Sequence, residues 1–227
     1  MFVRVDTRHR PIVPWATAIL ATTCLVTFVG LATLGLDQRL IALSTWGAVP
    51  ASLFRGGAWT WENFVAVRPE TLLTSLVLHA DWLHLLGNLL FLLIFGLAAE
   101  RALSSLRFLA LFVVCGAIAN LAGAWTLGQT AAPIVGASGA VSAIVGAWIA
   151  LFPRAHLGLV LPLGLYLEFV RVPAGLLIGF WVLLQVIFSF VGPAFGAVAW
   201  TVHLAGFALG VIFALASRPA LARRQRN

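Results

Sequence analysis

Long apolar runs separated by short polar punctuation dominate the chain. Six can be drawn, at roughly 14–36, 83–99, 108–128, 137–152, 173–192 and 197–216, each near the length that a tilted or partly enclosed membrane-spanning helix requires. The first follows Arg4, Arg8 and Arg10 as a signal-peptide core would. It is longer than such a core and lacks a small-x-small cleavage site before Asp37, so it predicts an anchored span. Between the first two runs, residues 37–82 mix Trp46, Phe54, Trp59, Trp61, Phe64 and Trp82 with Gly and Pro, which predicts short pieces lying in the membrane interface. Residues 157–167 are apolar but too short and too broken by Gly and Pro to span; they predict a cytoplasmic loop packed on the membrane surface. No repeat or charged linker divides 1–227. The pattern predicts one all-α domain, a polytopic membrane protein of six transmembrane helices with an interfacial first loop and a core at about 70–216.

Composition agrees. Hydrophobic residues fill 62% of the 227 positions and charged residues 9%, with a mean hydropathy of +1.04; a water-soluble domain could not hide so much apolar surface, so the lipid bilayer is the expected surrounding. The formal charge of +7 does not point to nucleic acid. Its fourteen basic residues are all Arg and fall mostly between the apolar runs, where topology accounts for them. With a cytoplasmic N-terminus, Arg4, Arg8, Arg10, Arg101, Arg107, Arg154, Arg171, Arg218, Arg223, Arg224 and Arg226 are inside and only Arg39, Arg55 and Arg68 outside. Eleven against three predicts that both termini are cytoplasmic. Cys24 and Cys115 sit in separate apolar runs with no partner spacing and read as packing thiols.

Few polar groups interrupt the spans, and such groups are functional candidates by default. In the predicted orientation the second, fourth and sixth runs all enter from outside. They carry His79 at the mouth of the second, His84 and Asn88 one turn apart within it, Ser138 in the first turn of the fourth, and His203 about a turn and a half into the sixth. These groups converge on the outer half of the bilayer. Gly136 and Gly139 frame Ser138 at a helix start, where free N–H groups and the helix dipole suit an oxyanion. Gly206 and Gly210 share the face of His203, and Ser142 and Gly146 share that of Ser138. Two small-residue stripes in register allow close approach, which predicts an Oγ–Nε2 contact with His203 as general base. No carboxylate falls at that depth, so the expected unit is a Ser–His dyad, with Asn88, His84 and the Ser138 N–H as oxyanion donors. Asn120 in the third run reads as interhelical glue, and Gln185 in the fifth as a packing or gating group. Neither a cofactor nor a metal is called for.

His79-Ala80-Asp81-Trp82-Leu83-His84-Leu85-Leu86-Gly87-Asn88 with Phe95-Gly96 and Glu100, Gly136-Ala137-Ser138-Gly139, and His203-Leu204-Ala205-Gly206-Phe207-Ala208-Leu209-Gly210 together resemble the signature motifs of rhomboid intramembrane serine proteases. The resemblance implies Ser138 as nucleophile, His203 as base, and His84 and Asn88 in the oxyanion hole. It further implies that His79 braces the first loop and that the fifth helix is a side gate. Val202 replaces the alanine many members have before the histidine, which predicts looser packing there. Ser142 stands where some members stack an aromatic ring on the histidine, so that ring must be held otherwise. The first loop also lacks the Trp-Arg pair of some members.

The expected activity is hydrolysis of a peptide bond in single-span membrane proteins, in or just outside the outer half of the bilayer, with a bacterial plasma membrane the setting that suits so compact a core. The competing expectation is a catalytically silent relative that binds membrane helices. A transporter would show mid-membrane charges and broken spans, and the sequence shows neither clearly.

Overall fold

The computed structural model describes residues 13–54, 68–163, 166–191 and 199–226. Arg4, Arg8, Arg10, Arg55, Trp59, Trp61 and Phe64 lie outside these. Seven helices of ten residues or more follow in order among the described residues: α1 (Trp15–Ala32), α2 (Leu36–Trp46), α3 (Trp82–Leu103), α4 (Ser105–Leu127), α5 (Ser138–Leu151), α6 (Ala174–Val191) and α7 (Trp200–Arg226). Five are long and apolar enough to cross a membrane: α1, α3, α4, α6 and the Trp200–Pro219 part of α7. The protein is a mostly helical, multi-pass membrane protein.

The remaining expected span, the fourth, is α5, which has only 14 residues, about 21 Å at 1.5 Å per residue. Its environment explains the shortness. Every residue from Gly139 to Trp148 is buried, as befits a helix apolar on all sides and enclosed by other helices. Such a helix meets protein rather than lipid, so it need not match the hydrocarbon thickness. α3 and α4 pack beside it and each widens by one π turn, at Leu92–Gly96 and Leu111–Cys115. Phe95 from the first of these turns meets the Trp148 ring edge-on at 5.1 Å.

A buried carboxylate ties α1 to this core. Glu100 accepts from the backbone N–H of Ala16 (2.9 Å) and of Thr17 (2.7 Å), and from the hydroxyls of Thr17 (2.6 Å) and Ser105 (2.6 Å). Its partners are the first, otherwise unpaired N–H groups of α1, where the helix dipole also favours negative charge. Removing the carboxylate leaves these buried donors unmatched, at about 1–3 kcal/mol each for the worst cases. Glu100→Ala is therefore expected to lower the thermal midpoint in detergent by about 5–10 °C, at 2–4 °C per kcal/mol for a chain of this size, and to increase proteolytic nicking near α1. An unchanged midpoint would mean that α1 is held without it.

Two stretches differ from the sequence-based expectation. Residues 157–163 and 166–167 lie in two antiparallel strands, β1 (His156–Leu163) and β2 (Tyr166–Pro173), paired in a register running from His156 opposite Pro173 to Leu163 opposite Tyr166. A run too short to span as a helix still needs partners for its backbone polar groups, and the second strand supplies them. Composition has no means of revealing that partner, because most of β2 falls between the apolar stretch at 157–167 and the next span at 173, where the pattern predicts no element. The strand pair joins the end of α5 to the start of α6, at the opposite end of the bundle from Ser138. The first loop is helical in part, with α2 and single turns at Pro50–Leu53 and Thr71–Thr74. It also makes a two-way backbone bridge, Ala48 N–H to Ile134 O (3.0 Å) and Ile134 N–H to Ala48 O (2.8 Å). The loop thus grips the segment leading into α5.

Candidate active site

Ser138 is the first residue of α5. The first intrahelical bond runs from Val141 N–H to Ala137 O (2.8 Å), so the N–H groups of Ser138, Gly139 and Ala140 have no carbonyl one turn back. Gly136 makes the turn possible. Its φ is +118°, a region side chains rarely adopt, and a Cβ there would press on the His84 ring at 2.5 Å. Its N–H is fixed to Ser75 O (2.9 Å). Ser75 also accepts on its hydroxyl from Asn120 Nδ2 (2.9 Å), which makes Asn120 the interhelical link expected of it.

α5 and α7 meet backbone to backbone. A Cβ on Gly206 would collide with the Gly139 carbonyl, one on Gly210 with the Ala143 carbonyl, and one on Gly146 with the Phe207 carbonyl. Small residues at these positions are what let the helices come so close. Val202 does not loosen this seam, contrary to the expectation from its bulk. It is buried and its methyls occupy the space that side chains on Gly123 and Gly139 would take. A glycine on α4 thus accommodates the larger residue on α7.

Ser138, His203, His84 and Asn88 line one cavity of about 570 Å³, together with Trp181 and Gln185 from α6. His203 lies in the first turn of α7, which begins at Trp200 rather than 197 within the described residues. Its Nδ1 is hydrogen-bonded to Gln185 Oε1 at 2.7 Å. The Trp181 ring flanks the imidazole at 6.5 Å between centroids, tilted by 31°, and Trp200 meets it edge-on at 6.0 Å. No hydrogen bond joins Ser138 Oγ to His203 among the described residues, where the sequence reading expected one; catalytic bonds of this kind often tighten only around substrate. Gln185 was legible as a lone amide in an apolar run, but its partner was not. Ser142, in place of a stacking ring, donates its hydroxyl to Ser138 O (2.7 Å).

Asp81 caps α3 by accepting from His84 N–H (2.8 Å), which sets the start of the helix carrying both histidine and asparagine. Asn88 Nδ2 donates to His84 O (2.9 Å). That uses one of its two N–H groups, and the residue is 8% exposed on the cavity wall.

His79 is fully buried and its Nε2 accepts a long bond from Ala137 N–H (3.5 Å), the residue before Ser138. Burial pushes its imidazole from 6.5 down to about 4, with His84 pushing the same way and the Val77 carbonyl and Asp81 pulling back. The unfolded chain therefore binds this proton more readily than the folded one. His79's contribution to stability is full above about pH 6.5 and is lost as the pH falls towards 4. The thermal midpoint in detergent is expected to drop across that window, and His79→Gln to flatten the drop. Equal slopes in both proteins would remove His79 as its cause.

A bundle of membrane-crossing helices with a serine, two histidines and an asparagine around one cavity, three of its walls being helix N-termini, defines a polytopic membrane protein with a buried polar site. The rhomboid-domain family model matches residues 67–219, and the chain belongs to the rhomboid family, whose members are mostly intramembrane serine proteases and include inactive ones. No curated protein matches the chain.

Proposed function

We propose that the protein is an intramembrane serine endopeptidase that cleaves single-span membrane proteins with the Ser138–His203 pair. The observation carrying this reading is that both residues open onto the same cavity from the facing helices α5 and α7, beside His84 and Asn88. In the proposed reaction His203 Nε2 takes the Ser138 hydroxyl proton as Oγ attacks the scissile carbonyl. The oxyanion is held by the N–H of Ser138 and by the side chains of Asn88 and His84. His203 then returns the proton to the departing amine, and water completes hydrolysis of the acyl-enzyme with His203 again as base. The substrate must unwind locally to expose its carbonyl, so small or helix-breaking residues near the scissile bond are expected. The arginine asymmetry supports cytoplasmic termini in a plasma membrane, with the cavity towards the outside. Gly136 and Gly139 shape the serine turn, Gly206 and Gly210 the seam, and His79 the approach to it.

Purified protein in detergent or liposomes, incubated with a panel of single-span substrates, tests the reading. Cleavage together with covalent capture of Ser138 by a fluorophosphonate supports it. Binding of substrate helices with neither cleavage nor capture would make the protein a silent helix-binding relative instead.

A further inference from the structure

We propose that Gln185 is a positioning residue for the histidine, holding His203 in the tautomer whose Nε2 is a bare acceptor. This inference deepens the proposed function and rests on it for its catalytic consequence, though not for its structural one. The ground is the 2.7 Å contact between His203 Nδ1 and Gln185 Oε1. A neutral imidazole carries one N–H, and whichever nitrogen donates leaves the other as the acceptor. With an amide oxygen opposite Nδ1, the proton sits on Nδ1 and Nε2 is free to accept. With an apolar group there, the ring could place its proton on Nε2, and a protonated Nε2 cannot receive one from Ser138.

Three further observations make Gln185 the residue for this task. It is 6% exposed on α6, so its amide is shielded from water that would otherwise compete. Trp181, four residues earlier and hence on the same helix face, flanks the same imidazole at a tilt, while Trp200 meets it edge-on. Asp81, the carboxylate on the cavity wall among the described residues, accepts from the His84 N–H, and the Ser142 hydroxyl is committed to the Ser138 carbonyl. Among the described residues, Gln185 is the hydrogen-bond partner of His203. A neutral amide orients the ring without placing a charge in the bilayer, where an ionised carboxylate would be costly.

The test compares wild type, Gln185→Met and Gln185→Glu in the full-length protein, in mildly alkaline buffer where an introduced carboxylate is ionised and acts as a pure acceptor. Thermal midpoints identify variants that fail to fold, and two readouts follow. The first is the imidazole ¹⁵N spectrum of His203, which reports tautomer whether or not the protein cleaves anything. The Nδ1–H form is expected in wild type and Gln185→Glu, and a shift towards Nε2–H in Gln185→Met. The second is kinetics: Gln185→Met is expected to lower kcat about 10- to 100-fold with KM within about 2-fold, and Gln185→Glu to restore most of it. An unaltered tautomer in Gln185→Met overturns the proposal, and so does a loss confined to KM, which would make Gln185 part of the substrate wall. If wild type cleaves nothing yet the tautomer responds as described, the protease reading fails while the positioning role stands.

Discussion

Ser138→Ala and His203→Ala are each expected to reduce cleavage of a transmembrane substrate by at least about 10³-fold, with the double variant no worse than either single one. In the proposed dyad, hydroxyl and imidazole act on one proton, so removing either removes the step. Both variants should keep the thermal midpoint of wild type within a few degrees. Ser138 contributes no hydrogen bond of its side chain to the fold among the described residues, and the His203 ring bonds only to Gln185. Asn88→Ala provides the graded case. In the proposed reaction its second N–H is the oxyanion donor, and losing a single such donor costs about 10²–10³ in kcat. Initial rates with a fluorogenic transmembrane peptide, measured against folded fractions, check all three. Retained cleavage in Ser138→Ala would end the assignment of the nucleophile.

Gly206→Leu is expected to disable the protein by a different route. A Cβ at this position would overlap the Gly139 carbonyl on α5, and the same holds for Gly210 against Ala143. Backbone on a fully buried helix cannot yield as a flexible side chain would, so α7 must move away and take His203 with it. Overpacking of this kind costs at least about 1–3 kcal/mol, more where backbone is the obstacle. A fall in thermal midpoint of roughly 10 °C is expected at 2–4 °C per kcal/mol, together with loss of activity. Gly179→Leu is the matched control: it lies on α6 with open space where a Cβ would stand, and the same side chain there should leave the midpoint nearly unchanged. Equal losses at both positions would mean that leucine, rather than the contact, is the cause.

The fate of individual residues shows what could be read in advance. Ser138 and His203 stood out because hydroxyl and imidazole are rare among so many apolar side chains, and glycines at +3 and +7 from His203 pointed to the face that approaches α5. The sequence shows the bulk of Val202 but not that Gly123 lies opposite it. Asn120 was recognised as a linking amide without its partner, Ser75, which lies 45 positions away. Glu100 stands out in the sequence only as part of a motif, and its four donors come from α1 and α4. Trp59, Trp61 and Phe64 of the first loop lie outside the described residues.

By itself the sequence determined that the chain lives in a membrane, where its long helices run, and which few polar groups could do chemistry, because each of these follows from the scarcity and spacing of side-chain types along one dimension. The tertiary structure decided which groups meet: Gln185 with His203, Glu100 with the start of α1, Val202 with Gly123, and β1 with β2. In a bilayer, lipid and neighbouring helix are equally apolar, so periodicity does not say which face of a helix touches protein, and rotation about the helix axis is fixed only by packing.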